Sequence, residues 1–113
     1  MKVYGIKTCG SVKNALKFFK DHNIDVEFVD FKKEKMPCDK IDYWISKVGV
    51  DTLFNNKGTK YRTLNLKALN LDEEGKRQWL CDENMLIKRP VIEYGNDQVH
   101  VAWNEEEYKK KFL

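Results

Sequence analysis

The run Lys2-Val3-Tyr4-Gly5-Ile6-Lys7-Thr8-Cys9-Gly10-Ser11-Val12-Lys13-Asn14-Ala15 decides how this chain folds. Lys2–Ile6 is short and apolar, and Thr8-Cys9-Gly10 bounds it, which predicts a β-strand. From Ser11 onward Val12, Ala15, Leu16 and Phe19 recur at i, i+3, i+4 and i+7, so an amphipathic helix is expected to about His22. Val26, Phe28 and Val29 then mark a second strand over Asp25–Phe31. A strand, a helix and a strand within about 30 residues make a crossover unit, and such a unit sets its two strands parallel with a right-handed connection. Both strands therefore belong in a core.

The rest of the chain extends this unit. Pro37 and Asp39 form a helix start, Ile41, Trp44, Ile45 and Val48 repeat the helical spacing, and Gly49 stops it. Asn55-Asn56-Lys57-Gly58-Thr59 is turn-rich, and Asp72-Glu73-Glu74 places acids where they favour the first turn of a helix running to about Cys81. Pro90–Tyr94, the turn Gly95-Asn96-Asp97 and Gln98–Trp103 predict a hairpin, and Asn104-Glu105-Glu106-Glu107 starts a last helix like a capping box. The order β-α-β, helices, β-β-α is that of an α/β, thioredoxin-like (glutaredoxin-like) fold. It implies one domain over 1–113, with a mixed four-stranded sheet and a helical insertion over about 38–86.

Composition bounds the partners. The chain has 113 residues, 42% hydrophobic and 35% charged, with a formal charge of +3, all of which suits one compact domain. Its lysines are interleaved with acids in Asp30-Phe31-Lys32-Lys33-Glu34-Lys35 and Glu105-Glu106-Glu107-Tyr108-Lys109-Lys110-Lys111, so these are solvated faces and no direct nucleic-acid footprint is expected. No signal peptide is recognisable and no apolar run approaches the roughly 20 residues of a membrane span, so the expected location is cytoplasmic, away from membranes. Trp44, Trp79 and Trp103 are expected in or at the edge of the core. Cys9, Cys38 and Cys81 are widely spaced, and neither His22 nor His100 has a second ligand at a recurrent spacing. Neither a disulfide framework nor a metal site is expected, and Cys38 and Cys81 are read as structural.

Cys9 is the exception, because it falls where the first strand hands over to the helix. The unpaired N–H groups and positive dipole end of a helix stabilise a thiolate over a thiol, and Lys7 and Lys13 add positive charge. Val12 stands where a Cys-x-x-Cys oxidoreductase would carry its second thiol, so Cys9 acts alone locally.

Thr8-Cys9-Gly10, the segment Leu53-Phe54-Asn55-Asn56-Lys57-Gly58-Thr59 with Tyr61-Arg62, and above all Leu86-Ile87-Lys88-Arg89-Pro90-Val91 together resemble the arsenate reductase family of the glutaredoxin-dependent type. The resemblance covers essentially the whole chain and points to the reductase-like, YffB-like branch, related to the Spx regulators. It implies that Cys9 is the nucleophile and that Arg89 stabilises anionic intermediates. The physics agrees, since a thiolate and a guanidinium fork able to bind an anion in bidentate fashion are a minimum pair for such chemistry. Backbone donors at Gly10 and Ser11 would hold the same anion, and Pro90, cis in thioredoxin-like folds, would bring Arg89 near Cys9. Lys13 lies one turn from Cys9. The resemblance implies no bound cofactor, glutathione as co-substrate, glutathione or glutaredoxin as partner, and a small anionic or disulfide substrate.

This sequence also departs from the family pattern. Gly5 and Lys13 stand where the signature has a histidine four residues before the cysteine and an arginine four after it. Two further anion-binding arginines correspond to Asn55 and the neighbourhood of Trp103. Each lost charge-assisted hydrogen bond is of order 1.5–3 kcal/mol, so losing two weakens a tetrahedral oxyanion site by about two orders of magnitude. Lys57 and Arg62 would substitute in part if their loop covered the cysteine. Efficient arsenate reduction is not expected. The alternative reading is a regulatory protein that binds RNA polymerase as Spx-like relatives do. Those relatives typically carry an N-terminal Cys-x-x-Cys switch, which Val12 removes, favouring the enzyme.

Overall fold

Val3 and Tyr4 are buried on an inside strand of the sheet, and that position follows from the apolar opening run. The computed structural model describes residues 1–113. The chain divides into two compact units: Met1–Asp30 with Arg89–Leu113, and Phe31–Lys88.

The first unit holds the sheet. Strands β1 (Lys2–Gly5), β2 (Glu27–Asp30), β3 (Val91–Tyr94) and β4 (Gln98–Val101) lie in the order β2-β1-β3-β4. β1 pairs parallel with β2 and antiparallel with β3, and β3 pairs antiparallel with β4, giving the expected mixed four-stranded sheet. Between β1 and β2 runs α1 (Gly10–Asp21), whose buried stripe is Val12, Ala15, Phe18 and Phe19. Val12, Ala15 and Phe19 are buried as the spacing predicts, Leu16 is half-buried against the core, and Phe18 widens the buried face. The closing helix α6 (Glu105–Phe112) is capped as expected, with Asn104 Oδ1 accepting from the Glu107 amide at 3.0 Å. Its acidic first turn and lysine-rich last turn both complement the helix dipole. Val3, Ala15, Phe18, Phe19, Ile92 and Tyr108 form the core of this unit, with Phe112 and Trp103 against Tyr108 at ring separations of 5.3 and 4.7 Å.

The second unit is helical: α2 (Cys38–Val48), α3 (Val50–Leu53), α4 (Thr59–Thr63) and α5 (Glu73–Asp82), with short 3-10 helices at Leu66–Leu69 and Asn84–Leu86. Gly49 ends α2 at φ +86°, a conformation that glycine reaches without strain. Asp72 caps α5 by accepting from the Gly75 amide at 2.8 Å. Ile41, Trp44, Leu53, Leu80 and Ile87 are fully buried here. Asp42 and Arg77 join α2 to α5 through two hydrogen bonds of 2.8 and 2.9 Å.

Three sequence expectations need correction. The second strand begins at Glu27, because Asp25 and Val26 precede the ladder, and Phe31 lies in the turn beyond it. α3, α4 and the 3-10 turns leave no clear sequence signal, since helices of four or five residues present too little of the 3.6-residue repeat. Cys38 and Cys81 form a disulfide, although their sequence separation of 43 gave no sign of one. The packing of α2 against α5 brings the first residue of one beside the last turn of the other.

Candidate functional site

Cys9 is the residue before the first turn of α1, with an extended backbone (φ −74°, ψ 127°). A turn precedes it, in which the Cys9 amide donates to the Ile6 carbonyl at 3.2 Å. Its own carbonyl accepts the first helical bond, from the Lys13 amide at 3.0 Å. The side chain makes no capping hydrogen bond, so the amides that open the helix are left available to a bound anion. The thiol is half-buried and is the free cysteine of the chain. A Cβ built on Gly10 would meet nothing within 4 Å, so the space over that backbone is open. Ser11 is half-buried, and Lys7 and Lys13 are exposed on either side.

Arg89 and Pro90 lie just before β3, joined by a cis peptide bond. The antiparallel register runs Lys2↔Glu93, Val3↔Ile92, Tyr4↔Val91, so one step further sets Pro90 across from Gly5, where β1 leaves the sheet towards Cys9. Cys9, Gly10, Ser11 and Lys13 thus share one end of the sheet with Arg89 and Pro90. Arg89 is half-buried and Pro90 buried.

Sequence reasoning missed Ala102 at that same end. It adopts φ +79°, a left-handed conformation unusual for alanine. Its amide donates to the Pro90 carbonyl and its carbonyl accepts from Tyr108 Oη, both at 2.8 Å. Tyr108 is fully buried, which pushes its hydroxyl to a pKa well above the ordinary tyrosine value, with Glu107 adding to the shift. An alanine carries no signal of such a role; the nearest clue is the buried aromatic on α6.

Lys57 and Arg62 belong to the second unit. Both are exposed, and Arg62 Nη1 donates to the Lys57 carbonyl at 2.9 Å, tying down its own loop. Asn55, where the resemblance implies an arginine, is spent on the loop: its Oδ1 accepts from the Lys57 amide at 3.1 Å, and its backbone amide donates to the Leu86 carbonyl at 2.9 Å. Trp103, near the next such position, packs edge-on against Tyr108 and Phe18. No cluster of three or more His, Cys, Asp or Glu is placed to hold a metal ion, and no helix is long and apolar enough to cross a membrane.

The mixed sheet, the helix leaving it at a cysteine and the cis-proline strand define a thioredoxin-like protein of the arsenate-reductase kind. The sequence pattern of the ArsC family matches residues 4–111, and the chain belongs to that family. An uncharacterised protein of Haemophilus influenzae is 34% identical, over 97% of this chain and 96% of its own length. The structure of a YFFB protein superposes at a TM-score of 0.90 with 27% identity, covering 99% of this chain and 98% of the other. An arsenate reductase related protein of Brucella melitensis gives 0.78 and 31%, covering 98% and 92%. Family and neighbours support a thiol oxidoreductase.

Proposed function

We propose that the protein is a monothiol oxidoreductase in which Cys9 is the nucleophile, Arg89 the anion-stabilising group and glutathione or glutaredoxin the reductant. The observation that carries this reading is the position of Cys9. It is a free, half-buried thiol at the mouth of a 12-residue helix, without a cap bond of its own, on the sheet end that also carries Arg89 and Pro90.

The Cys9 thiolate attacks one sulfur of a disulfide substrate. The S–S bond breaks, the displaced thiolate takes a proton from water, and a mixed disulfide is left on Cys9. A glutathione thiolate then attacks that mixed disulfide, forming a new disulfide with the bound group and returning Cys9 as thiolate. The guanidinium of Arg89 binds a carboxylate or oxyanion of the incoming molecule through its fork, and the amides of Gly10 and Ser11 add donors on the helix side. Lys13 contributes long-range attraction that salt screens.

The test is intact-mass spectrometry of reduced protein after exposure to glutathione disulfide, with Cys9→Ser in parallel. One glutathione adduct in the parent protein, absent from the variant and removed by glutaredoxin, is expected. An adduct that survives Cys9→Ser would overturn the assignment.

A further inference from the structure

Cys38 and Cys81 form a disulfide within the helical unit, and we infer that this pair is a second redox site, cycling reversibly between dithiol and disulfide by exchange with low-molecular-weight disulfides such as glutathione disulfide.

The two sulfurs differ in the way an attacking and a resolving thiol must. Cys38 is the first residue of the 11-residue α2 and is partly exposed, the more accessible of the two. Cys81 lies in the last turn of α5 and is 3% exposed, so it is reached only from within the protein.

The pair is also held in place by contacts that do not depend on the bond. The buried Asn84 carboxamide accepts from the Met36 amide at 2.7 Å and donates to the Leu80 carbonyl at 3.0 Å, clamping the chain before α2 to the end of α5. Elsewhere on the same two helices, Arg77 grips Asp42 with its two bonds. The Cα atoms of Cys38 and Cys81 are 5.1 Å apart, and these clamps hold that spacing when the sulfurs are reduced. Ring closure is therefore intramolecular and fast.

The exchange balances as follows. The Cys38 thiolate attacks glutathione disulfide, giving a Cys38–glutathione mixed disulfide and one glutathione thiolate. Cys81, having lost its proton to solvent, attacks Cys38 Sγ and displaces the second glutathione. The protein dithiol is oxidised by two electrons and glutathione disulfide is reduced to two glutathiones. Excess glutathione reverses both steps.

The experiment uses full-length Cys9→Ser protein, so its outcome does not depend on the Cys9 reading. The protein is fully reduced, equilibrated across ratios of glutathione to glutathione disulfide, quenched with iodoacetamide and weighed intact. The expected result is a reversible passage from two alkylated cysteines to none, with no stable glutathione adduct. In the further variant Cys81→Ser, the adduct should accumulate on Cys38. In Cys38→Ser, modification of Cys81 should slow by at least ~10-fold, as befits a buried thiol. Two thiols still alkylated at high glutathione disulfide would overturn the inference. So would a crosslink that excess glutathione leaves intact, because the bond would then be a fixed structural one; neither result needs the additional variants to fold.

Discussion

Gly5 faces Val12 so closely that a Cβ at position 5 would sit 2.6 Å from Val12 Cγ2, closer than side-chain carbons ever approach. The last residue of β1 and the first buried residue of α1 thus fit together only because one has no side chain. Val12 is β-branched and stiff in a helix, so it cannot swing aside cheaply. Position 5, where the resemblance implies a histidine, is closed here by packing, quite apart from chemistry. Gly5→Ala should cost about 1–3 kcal/mol by overpacking, and Val12→Ala in the same chain should recover part of it. Urea denaturation of the single and double variants checks this; a Gly5→Ala protein as stable as the parent would show that the helix start yields freely.

Arg89 separates a chemical family resemblance from a merely structural one. Arg89→Ala removes both charge and fork, whereas Arg89→Lys keeps the charge. Loss of a charge-assisted bond of about 1.5–3 kcal/mol should slow reaction of Cys9 with glutathione disulfide by about 10- to 100-fold. A neutral disulfide should be affected much less, and Arg89→Lys should fall between. Stopped-flow rates with the two disulfides decide the matter, with circular dichroism to confirm folding. Equal slowing of both disulfides, or none, would take Arg89 out of the site.

Arsenate makes heavier demands on the same end of the sheet. Asn55 and Trp103 are engaged in loop and core contacts at or near positions where the resemblance implies arginines, and Lys13 offers a point charge where it implies a guanidinium. Arsenate reduction with glutathione and glutaredoxin supplied should therefore be weak or absent. Robust, saturable turnover in a coupled assay would contradict this.

His100 makes the fold sensitive to mild acid. It is buried on β4, with its Nδ1 accepting from Lys111 Nζ at 2.9 Å, its Nε2 3.5 Å from Glu107 Oε2 and the Tyr108 ring at 5.4 Å. Burial lowers its pKa from 6.5, Lys111 lowers it further, and Glu107 opposes them. The folded state thus binds this proton less readily than the unfolded chain. The stability it confers is present above about pH 6.5 and declines as pH falls below that, with a slope of at most about 1.4 kcal/mol per pH unit. Denaturation midpoints between pH 5 and 8 should show this decline, and His100→Gln should flatten it.

What could be read in the chain followed the length of each signal. α1, α2, α5 and the closing hairpin carry full repeats, caps or turn residues, and each lies within a few residues of its expected place. Val26 continues the apolar run and so extends the strand expected from sequence, while the β2 ladder starts only at Glu27. Cys9 and Arg89 were open to a reading from sequence because a strand-helix junction and an Arg-Pro run are local patterns. The Cys38–Cys81 bond and the left-handed Ala102 were not, because each is created by residues distant in sequence: α2 against α5, and Pro90 with Tyr108 around one alanine. Lys57 and Arg62 are expected at the site only if their loop covers the cysteine, and neither segment nor charge says that a guanidinium spends itself on a neighbouring carbonyl.

The position of β1 between β2 and β3 also sets an order of events during synthesis. β2 follows β1 almost at once, but the whole of Phe31–Lys88 must be made before β3 emerges to cover the other edge. At ribosomal speeds of about 5–20 residues per second, that edge waits for seconds with Val3 and Tyr4 in hand. Cys9 is translated early and Arg89 late. A chain stalled within the helical unit therefore carries the thiol without the guanidinium, on an open strand edge of the kind that chaperones recognise and aggregates recruit.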